Sequence, residues 1–447
     1  MNLMIFFPVI IVLNIIYFTV GIIASRNVSN NEDYFLAGRN LGFFAVTFTL
    51  IATQLGGSLI IGGSDAAFKH GYSGILYAVG IGIGFLLLAL GFASKLQSMG
   101  VATVAEIFET KYNSPRLKQL ASLISIISLF GILIAAAVMA SKELITTLGA
   151  SNELFFLFFW GLVIFYTMAG GLQAVTMTDA AQVIFIIISI GSIFLYDLWC
   201  NGTTFFTQAS VAKSTGLFTS YPKAIITFIA PALFSIIEQD IAQKFFATKN
   251  KKTAVLSALC AGIFIIAFGF IPVYYGMKAK MLGLAIPTGG SPFVSILEQQ
   301  SSEFIFVLII CGIIAAIVST ADSLLCAISS NIAQDFNISF FNFNKLTISK
   351  ILTAIVGVCA VAASYLFEKE GILNLTVESY VISVACTLIP ILFVFFKKEV
   401  KKRAAIFAFT FGLGSFIILK FFVIPGIPSD LAAILISLIG YLIGDLI

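Results

Sequence analysis

Residues 52–65 read ATQLGGSLIIGGSD and lie within an apolar segment long enough to span a membrane. Each glycine weakens a helix by about 1 kcal/mol relative to alanine, so the two glycine pairs predict an interrupted helix. Inside a bilayer, unwound backbone is tolerated only where it faces protein or a water-filled cavity. Broken helices expose carbonyls to cations in many transporters, whereas small residues also allow close helix packing. This segment alone is compatible with both interpretations.

The composition around this segment is that of a membrane protein. The chain has 447 residues, of which 60% are hydrophobic and 10% are charged. Soluble domains are about 45–50% apolar and about 25% charged, so this chain could not cover a water-facing surface of its size. Apolar runs of span length recur along it, and within lipid such runs form helices. We therefore expect an all-α polytopic membrane protein.

Hydropathy predicts about thirteen transmembrane helices. Their approximate ranges are 4–24, 41–66, 72–94, 118–147, 153–169, 179–199, 222–244, 254–277, 303–331, 347–367, 372–396, 404–420 and 428–446. With the N-terminus outside, seventeen of the 25 lysine and arginine residues fall on the cytoplasmic side and seven outside, with Lys142 inside a span. This bias predicts an outside N-terminus and a cytoplasmic C-terminus.

Two further spans are unusually polar. The ninth contains Ser319-Thr320-Ala321-Asp322-Ser323, and an aspartate at the bilayer centre costs about 2.5–3.5 kcal/mol on insertion scales. Ser319 and Asp322 share one helix face, so a functional face is favoured, although hydroxyls can also bond the preceding turn. The seventh span ends in the polar run 235–244, either as a helix end in water or as a broken helix beside a cavity.

Enzymatic chemistry is not indicated. His70 is the only histidine, and the six cysteines form no CxxC pair or zinc spacing. No Walker loop, metal cluster or nucleophile triad occurs, so we expect neither an enzyme nor a cofactor. The net charge of +4 comes mostly from loop lysines and does not indicate nucleic-acid binding.

Four motifs in order resemble the sodium:solute symporter family. They are DYFLAGRNLG at 33–42, GGLQAVTMTDAAQ at 170–182, QDIAQKFFATK at 239–249 with Lys244 where arginine is usual, and VSTADS at 318–323. The resemblance implies a single LeuT-type transporter domain over 1–447. It implies inverted five-helix repeats at 41–200 and 221–396, an extra N-terminal helix and loop at 1–40, and extra C-terminal helices at 404–447.

The resemblance also implies a sodium site. Its ligands fall on the carbonyls of Ala52, Leu55 and Ala316 and the hydroxyls of Ser319 and Thr320. Asp179 falls on the cytoplasmic sodium path, to which we add Asp322; Asp179 could alternatively, or also, be the N-cap of the sixth helix. Oxygen ligands suit a hard monovalent cation. Proton-coupled relatives of this fold can place a lysine ammonium from the sixth span in the cation's position. Residues 179–199 contain no lysine, so the resemblance favours sodium over protons.

The solute of such a carrier lies beside the broken second span. The candidate residues are Gln54, Gly57, Ser58, Tyr77, Phe234, Glu238 and Gln239. Gln54 and Glu238 stand where choline carriers place tryptophan, and Glu238-Gln239 replaces the Asn-Gln pair of sugar carriers. An amino acid or another zwitterionic or carboxylic solute is therefore preferred.

These inferences predict a sodium-coupled importer of a small polar solute in the plasma (inner) membrane. Its partners are sodium, the solute and the lipid bilayer, and one copy suffices for function. A sensor or receptor built on the same fold, and a channel or uniporter, are the alternatives.

Overall fold

The computed structural model describes residues 3–26, 28–148, 153–211, 223–336, 345–367, 370–422 and 428–447. Within these ranges all regular structure is helical, apart from one isolated bridge between Leu41 and Thr248. The α-helices are α1 Leu3–Ser25, α2 Asn31–Leu36, α3 Phe43–Gln54, α4 Gly63–His70, α5 Leu76–Leu87, α6 Ala93–Gln97, α7 Glu106–Tyr112, α8 Pro115–Leu133, α9 Ala140–Thr147, α10 Glu153–Ile186, α11 Ser192–Val211, α12 Ala224–Phe234, α13 Gln239–Phe246, α14 Lys251–Met281, α15 Pro292–Gln300, α16 Glu303–Asp335, α17 Lys345–Ser364, α18 Ile372–Ser383, α19 Ile389–Phe396, α20 Lys402–Ile418 and α21 Ser429–Leu446. The predicted all-α class is confirmed.

Ten helical segments of the described chain are long and apolar enough to cross a membrane. Phe43–Gln54 and Phe156–Phe165 are shorter apolar helices. Length and composition therefore support a multi-pass protein, while the count of thirteen stays a prediction.

The predicted loop between the fifth and sixth spans is helical. α10 continues through this region and bends only at Gly171, where φ is 56° and ψ is −162°. This backbone conformation favours glycine, and a Cβ atom there would lie 2.5 Å from the Tyr34 carbonyl oxygen. One glycine thus replaces the predicted loop. Asp179 lies eight residues beyond the bend, inside the helix, so the prediction that it caps a helix is wrong.

The second span is broken where the glycine pair predicted. Leu59 and Ile60 both donate their backbone N–H groups to the Gly56 carbonyl, each at 3.1 Å. In a continuous α-helix Leu59 would donate to Leu55, so the Leu55 carbonyl loses its usual donor. A π-helical turn, Ser58–Gly62, and then α4 continue the span. A Cβ atom at Gly57 would lie 2.6 Å from the Ala136 carbonyl oxygen, so close packing accompanies the break.

The seventh span is broken in the same manner. α12 ends at Phe234 and α13 begins at Gln239, with Glu238 extended between them at φ −64° and ψ 122°. Ile237 and Glu238 both donate to the Phe234 carbonyl, at 2.9 and 2.8 Å. Every residue of α13 is buried. Residues 235–244 therefore form a broken buried helix and not a helix end in water.

The segment that carries the motif at 33–42 packs against α13, which carries the motif at 239–249. This contact explains why the two motifs occur together. Gln243 donates a hydrogen bond to the Phe35 carbonyl at 2.7 Å. Arg39 donates to the carbonyls of Gly100 at 3.2 Å and Phe246 at 3.5 Å. These contacts hold the loop across one end of the helix bundle.

Candidate functional site

The break in the second span meets α16 at two hydroxyl groups. Ser319 Oγ lies 3.2 Å from the Ala52 carbonyl oxygen and 3.0 Å from that of Ala316. Thr320 Oγ1 lies 3.0 Å from the Thr53 carbonyl oxygen and 3.1 Å from that of Ala316. Each hydroxyl has one proton and two acceptor lone pairs, so it can donate to a carbonyl and still face a cation.

The structure therefore brings together four of the five predicted sodium ligands. The fifth, Leu55, lies in the break, where its carbonyl has lost its α-helical donor. Ala52, Leu55, Ala316 and Ser319 are fully buried, and Thr320 is 3% exposed. A buried group of neutral oxygens suits a dehydrated alkali cation and offers no soft ligand for a transition metal.

A buried lysine that the sequence analysis did not place here lies beside this group. The Lys244 side chain is 0% exposed, and its Nζ donates to Asp240 Oδ1 at 2.8 Å and to Ser323 Oγ at 3.2 Å. It also donates to the Thr53 hydroxyl. All three ammonium protons have acceptors, and they join α3, α13 and α16. The absence of lysine from residues 179–199 therefore does not mean that the neighbourhood of this group lacks an ammonium.

Thr53 connects the two groups, although the sequence analysis did not single it out. Its carbonyl accepts from Thr320, its hydroxyl accepts from Lys244, and its side chain lines the neighbouring cavity. Thr53 therefore forms a direct structural link between the hydroxyls of α16 and the lysine.

Three buried carboxylates are arranged near this lysine. Asp179 accepts a hydrogen bond from Thr49, and Asp322 accepts one from Thr167. Asp179 Oδ1, Asp322 Oδ2 and Asp240 Oδ2 have no hydrogen-bond partner among the described residues. Because a single ammonium cannot balance three carboxylates, the region carries excess negative charge whenever they are ionised. Such a region attracts a cation.

A narrow cavity lies next to the break. Of the predicted solute residues, Gln54, Ser58, Tyr77 and Glu238 line it. The other lining residues are Thr53, Gly56, Leu59, Ile132, Ala136, Thr320, Leu324 and Tyr380. Residues of the second, third, seventh and eleventh spans thus meet around one space.

Three predicted solute residues lie elsewhere. The Phe234 ring stacks on Tyr380, with centroids 4.5 Å apart, and so supports the wall from behind. Gly57 packs against α9 and the turn before it. The Gln239 amide accepts from the Val104 backbone N–H at 2.7 Å and donates to the Ala102 carbonyl at 3.4 Å, so it holds a loop.

Tyr380 is a polar cavity residue that the sequence analysis missed. Its hydroxyl lies 2.8 Å from that of Tyr77, and Ser58 Oγ lies 2.7 Å from Thr376 Oγ1. The first contact links the third span to α18, and the second links the broken second span to α18. A tyrosine and a threonine four residues apart in the eleventh span share one helix face, and this was the available signal.

The model of the sodium:solute symporter family matches residues 34–412. The chain belongs to this family. The match covers the broken helices, the hydroxyl pair and the buried lysine. The resemblance carried by the four motifs is confirmed.

Solved structures support the fold expected of a symporter of this family. A Na⁺-coupled sialic acid symporter, in a substrate-bound outward-open state, matches with a TM-score of 0.83 at 16% identity, over 99% of this chain and 96% of that chain. MhsT in complex with L-phenylalanine matches with a TM-score of 0.60 at 14% identity, over 91% and 98%. Mhp1, a nucleobase-cation-symport-1 family transporter, matches with a TM-score of 0.61 at 15% identity, over 93% and 94%. The LeuT-type fold is thereby confirmed.

Proposed function

We propose that this symporter imports a small polar organic solute together with sodium by alternating access. The single observation that carries the proposal is the meeting of the second-span break with Ser319 and Thr320 of α16, directly beside the cavity. An ion bound there contacts two helices at once, so its affinity differs between conformations in which they meet and conformations in which they separate. A ligand shifts a conformational equilibrium only through such a difference.

The same proposal assigns the remaining residues. Ala52, Leu55, Ala316, Ser319 and Thr320 bind sodium, and Asp179 and Asp322 line its path. Gln54, Ser58, Tyr77 and Glu238 face the solute. One copy suffices, since a single chain supplies the cavity and all these ligands. The inverted repeats at 41–200 and 221–396 are supported by the matching breaks near the start of each, at 55–57 and 235–238.

Uptake measurements test this function. We expect proteoliposomes to accumulate at least one solute from a radiolabelled panel only when an inward sodium gradient is imposed. A pH gradient in choline chloride should not replace sodium. A uniporter or channel would equilibrate the solute without accumulating it, and a receptor would bind the solute without uptake. Equal accumulation with either gradient would contradict sodium coupling.

We also propose an outside N-terminus and a cytoplasmic C-terminus in the plasma (inner) membrane, on the lysine and arginine bias. Three helical spans, α16, α17 and the pair α18–α19, separate the exposed positions Leu282 and Lys401. In a variant without the six native cysteines, Leu282→Cys should react with an impermeant thiol reagent from outside and Lys401→Cys only from inside. Labelling of both from one side would contradict this topology.

A further inference from the structure

We propose that the solute carries a protonated amine, which the Glu238 carboxylate binds inside the cavity. This inference rests on the proposed function and deepens it by naming the substrate class. The sequence favoured an amino acid or another zwitterionic or carboxylic solute. The present inference keeps amino acids, adds organic amines and excludes purely carboxylic solutes.

The first observation is the state of the Glu238 side chain. Glu238 is 3% exposed and lines the cavity, and it interacts with the Gln54 side chain. It occupies the N-cap position of α13 but makes no side-chain capping hydrogen bond. The carboxylate is therefore not used to stabilise the helix end, which is the usual structural role of an acid at this position.

The second observation is that no lysine or arginine of the described residues forms a direct ion pair with this carboxylate. In the described part of the chain, the ion pairs of lysine and arginine all go to other acids. The lysine of the same segment, Lys244, has its ammonium engaged by Asp240, Ser323 and Thr53. A buried charge is costly unless it is paired, and a positively charged solute supplies the missing partner.

The third observation is the chemistry of the walls. Tyr77 and Tyr380 lie parallel, with an angle of 4° and centroids 6.3 Å apart, and Phe234 stacks on Tyr380. The two tyrosine hydroxyls are bonded to each other at 2.8 Å. Aromatic rings attract ammonium groups through their negative faces. Leu59, Ile132, Ala136 and Leu324 complete the wall with apolar surface, which suits a small aliphatic body.

A carboxylate-only solute does not fit this cavity. None of its lining residues is a lysine or arginine, so an anion would meet Glu238 without a compensating side chain. A zwitterion differs, because its ammonium can pair with Glu238 while its carboxylate turns toward bound sodium. An amine and an amino acid therefore share the same recognition chemistry, and the experiment distinguishes them.

The experiment uses three probes with a common isobutyl skeleton, isobutylamine, valine and isovalerate, and a second set with a common phenethyl skeleton, phenethylamine, phenylalanine and hydrocinnamate. Binding is measured as thermal stabilisation of the purified full-length protein, with and without sodium. We expect the amine or the amino acid of at least one set to bind, and the acid of neither. Preference for the amino acid identifies a zwitterion carrier, and preference for the amine identifies a cation carrier.

Glu238→Gln is the matched variant, because it keeps the size of the side chain and its contact with Gln54. We expect it to weaken binding of the amino probe more than tenfold, since charge-assisted hydrogen bonds are about twice as strong as neutral ones. Glu238→Asp should retain part of the affinity. Sodium stabilisation should persist in both variants, which shows that they are folded.

Each result bears on one claim. Binding of an acid, failure of every amino probe, or unchanged affinity in Glu238→Gln overturns the amine assignment while leaving sodium coupling intact. Amine binding with sodium-independent uptake overturns the proposed function instead, so the two failures are distinguishable.

Discussion

Replacing both Ser319 and Thr320 with alanine is expected to raise the sodium concentration for half-maximal uptake more than tenfold. The two hydroxyls are the only side-chain oxygens among the proposed ligands; the other three are carbonyls that cannot be removed by substitution. Each single alanine variant should show a smaller rise. The measurement is a sodium titration of uptake in proteoliposomes containing the purified variants.

Linkage gives this prediction a second readout. Solute affinity should fall in the double variant at low sodium and recover at high sodium, because coupling between two ligands is reciprocal. Asp179→Asn is the matched control: it can still accept from Thr49, and it should slow sodium release while leaving half-saturation nearly unchanged. A purely structural role for the hydroxyls predicts lower yield and maximal rate with an unaltered half-saturation, which would exclude them as ligands.

Lys244→Met is expected to abolish transport and to destabilise the protein by about 3–5 kcal/mol. Removing one partner of a buried ion pair leaves the other charge uncompensated, and this is the typical magnitude of that loss. Asp240 would keep its carboxylate at 1% exposure with no ammonium beside it, and Asp179 would lose its nearest positive charge. Thermal unfolding in detergent and sodium-driven uptake measure the two effects.

Two further variants separate charge from packing at this position. Lys244→Arg keeps the charge and should restore folding and measurable uptake. The double variant Lys244→Met with Asp240→Asn removes both charges, so it should regain most of the stability but not the transport rate. Wild-type uptake by the double variant would show that the ammonium acts only as a structural partner of Asp240.

The second-span break and the hydroxyl pair could be predicted because their signals are local, whereas the break in the seventh span, which has no glycine pair, was one of two open alternatives. Paired glycines weaken a helix wherever they occur, and Ser319 and Thr320 are adjacent in sequence. Lys244 could not be placed in the same way. The spacing of Asp240 and Lys244 predicts a contact along one helix, but nothing local shows that Thr53 and Ser323 lie opposite. A lysine at the end of an apolar run therefore resembled an ordinary loop lysine.

The predicted solute residues were likewise only partly correct. Gln54, Ser58, Tyr77 and Glu238 reach the cavity, whereas Gln239, although adjacent to Glu238, turns away to hold the 102–104 backbone. The direction of a side chain beside a helix break depends on the local backbone dihedrals, which residue types do not determine. The Gly171 bend was missed for a related reason. A single glycine with positive φ changes the direction of the chain here, where a loop between two helices was expected.

The depth of the breaks has an electrical consequence. α3 has 12 residues and α12 has 11, so at about 1.5 Å per residue each extends roughly 16–18 Å, about half of a 30 Å hydrocarbon layer. An ion at the proposed sodium site, where the end of α3 meets α16, would therefore have crossed about half of the transmembrane field. Of the roughly 2.3 kcal/mol that 100 mV imposes on one charge, about half acts on entry from outside and half on release inside. We therefore expect membrane voltage to alter the apparent sodium affinity as well as the direction of transport.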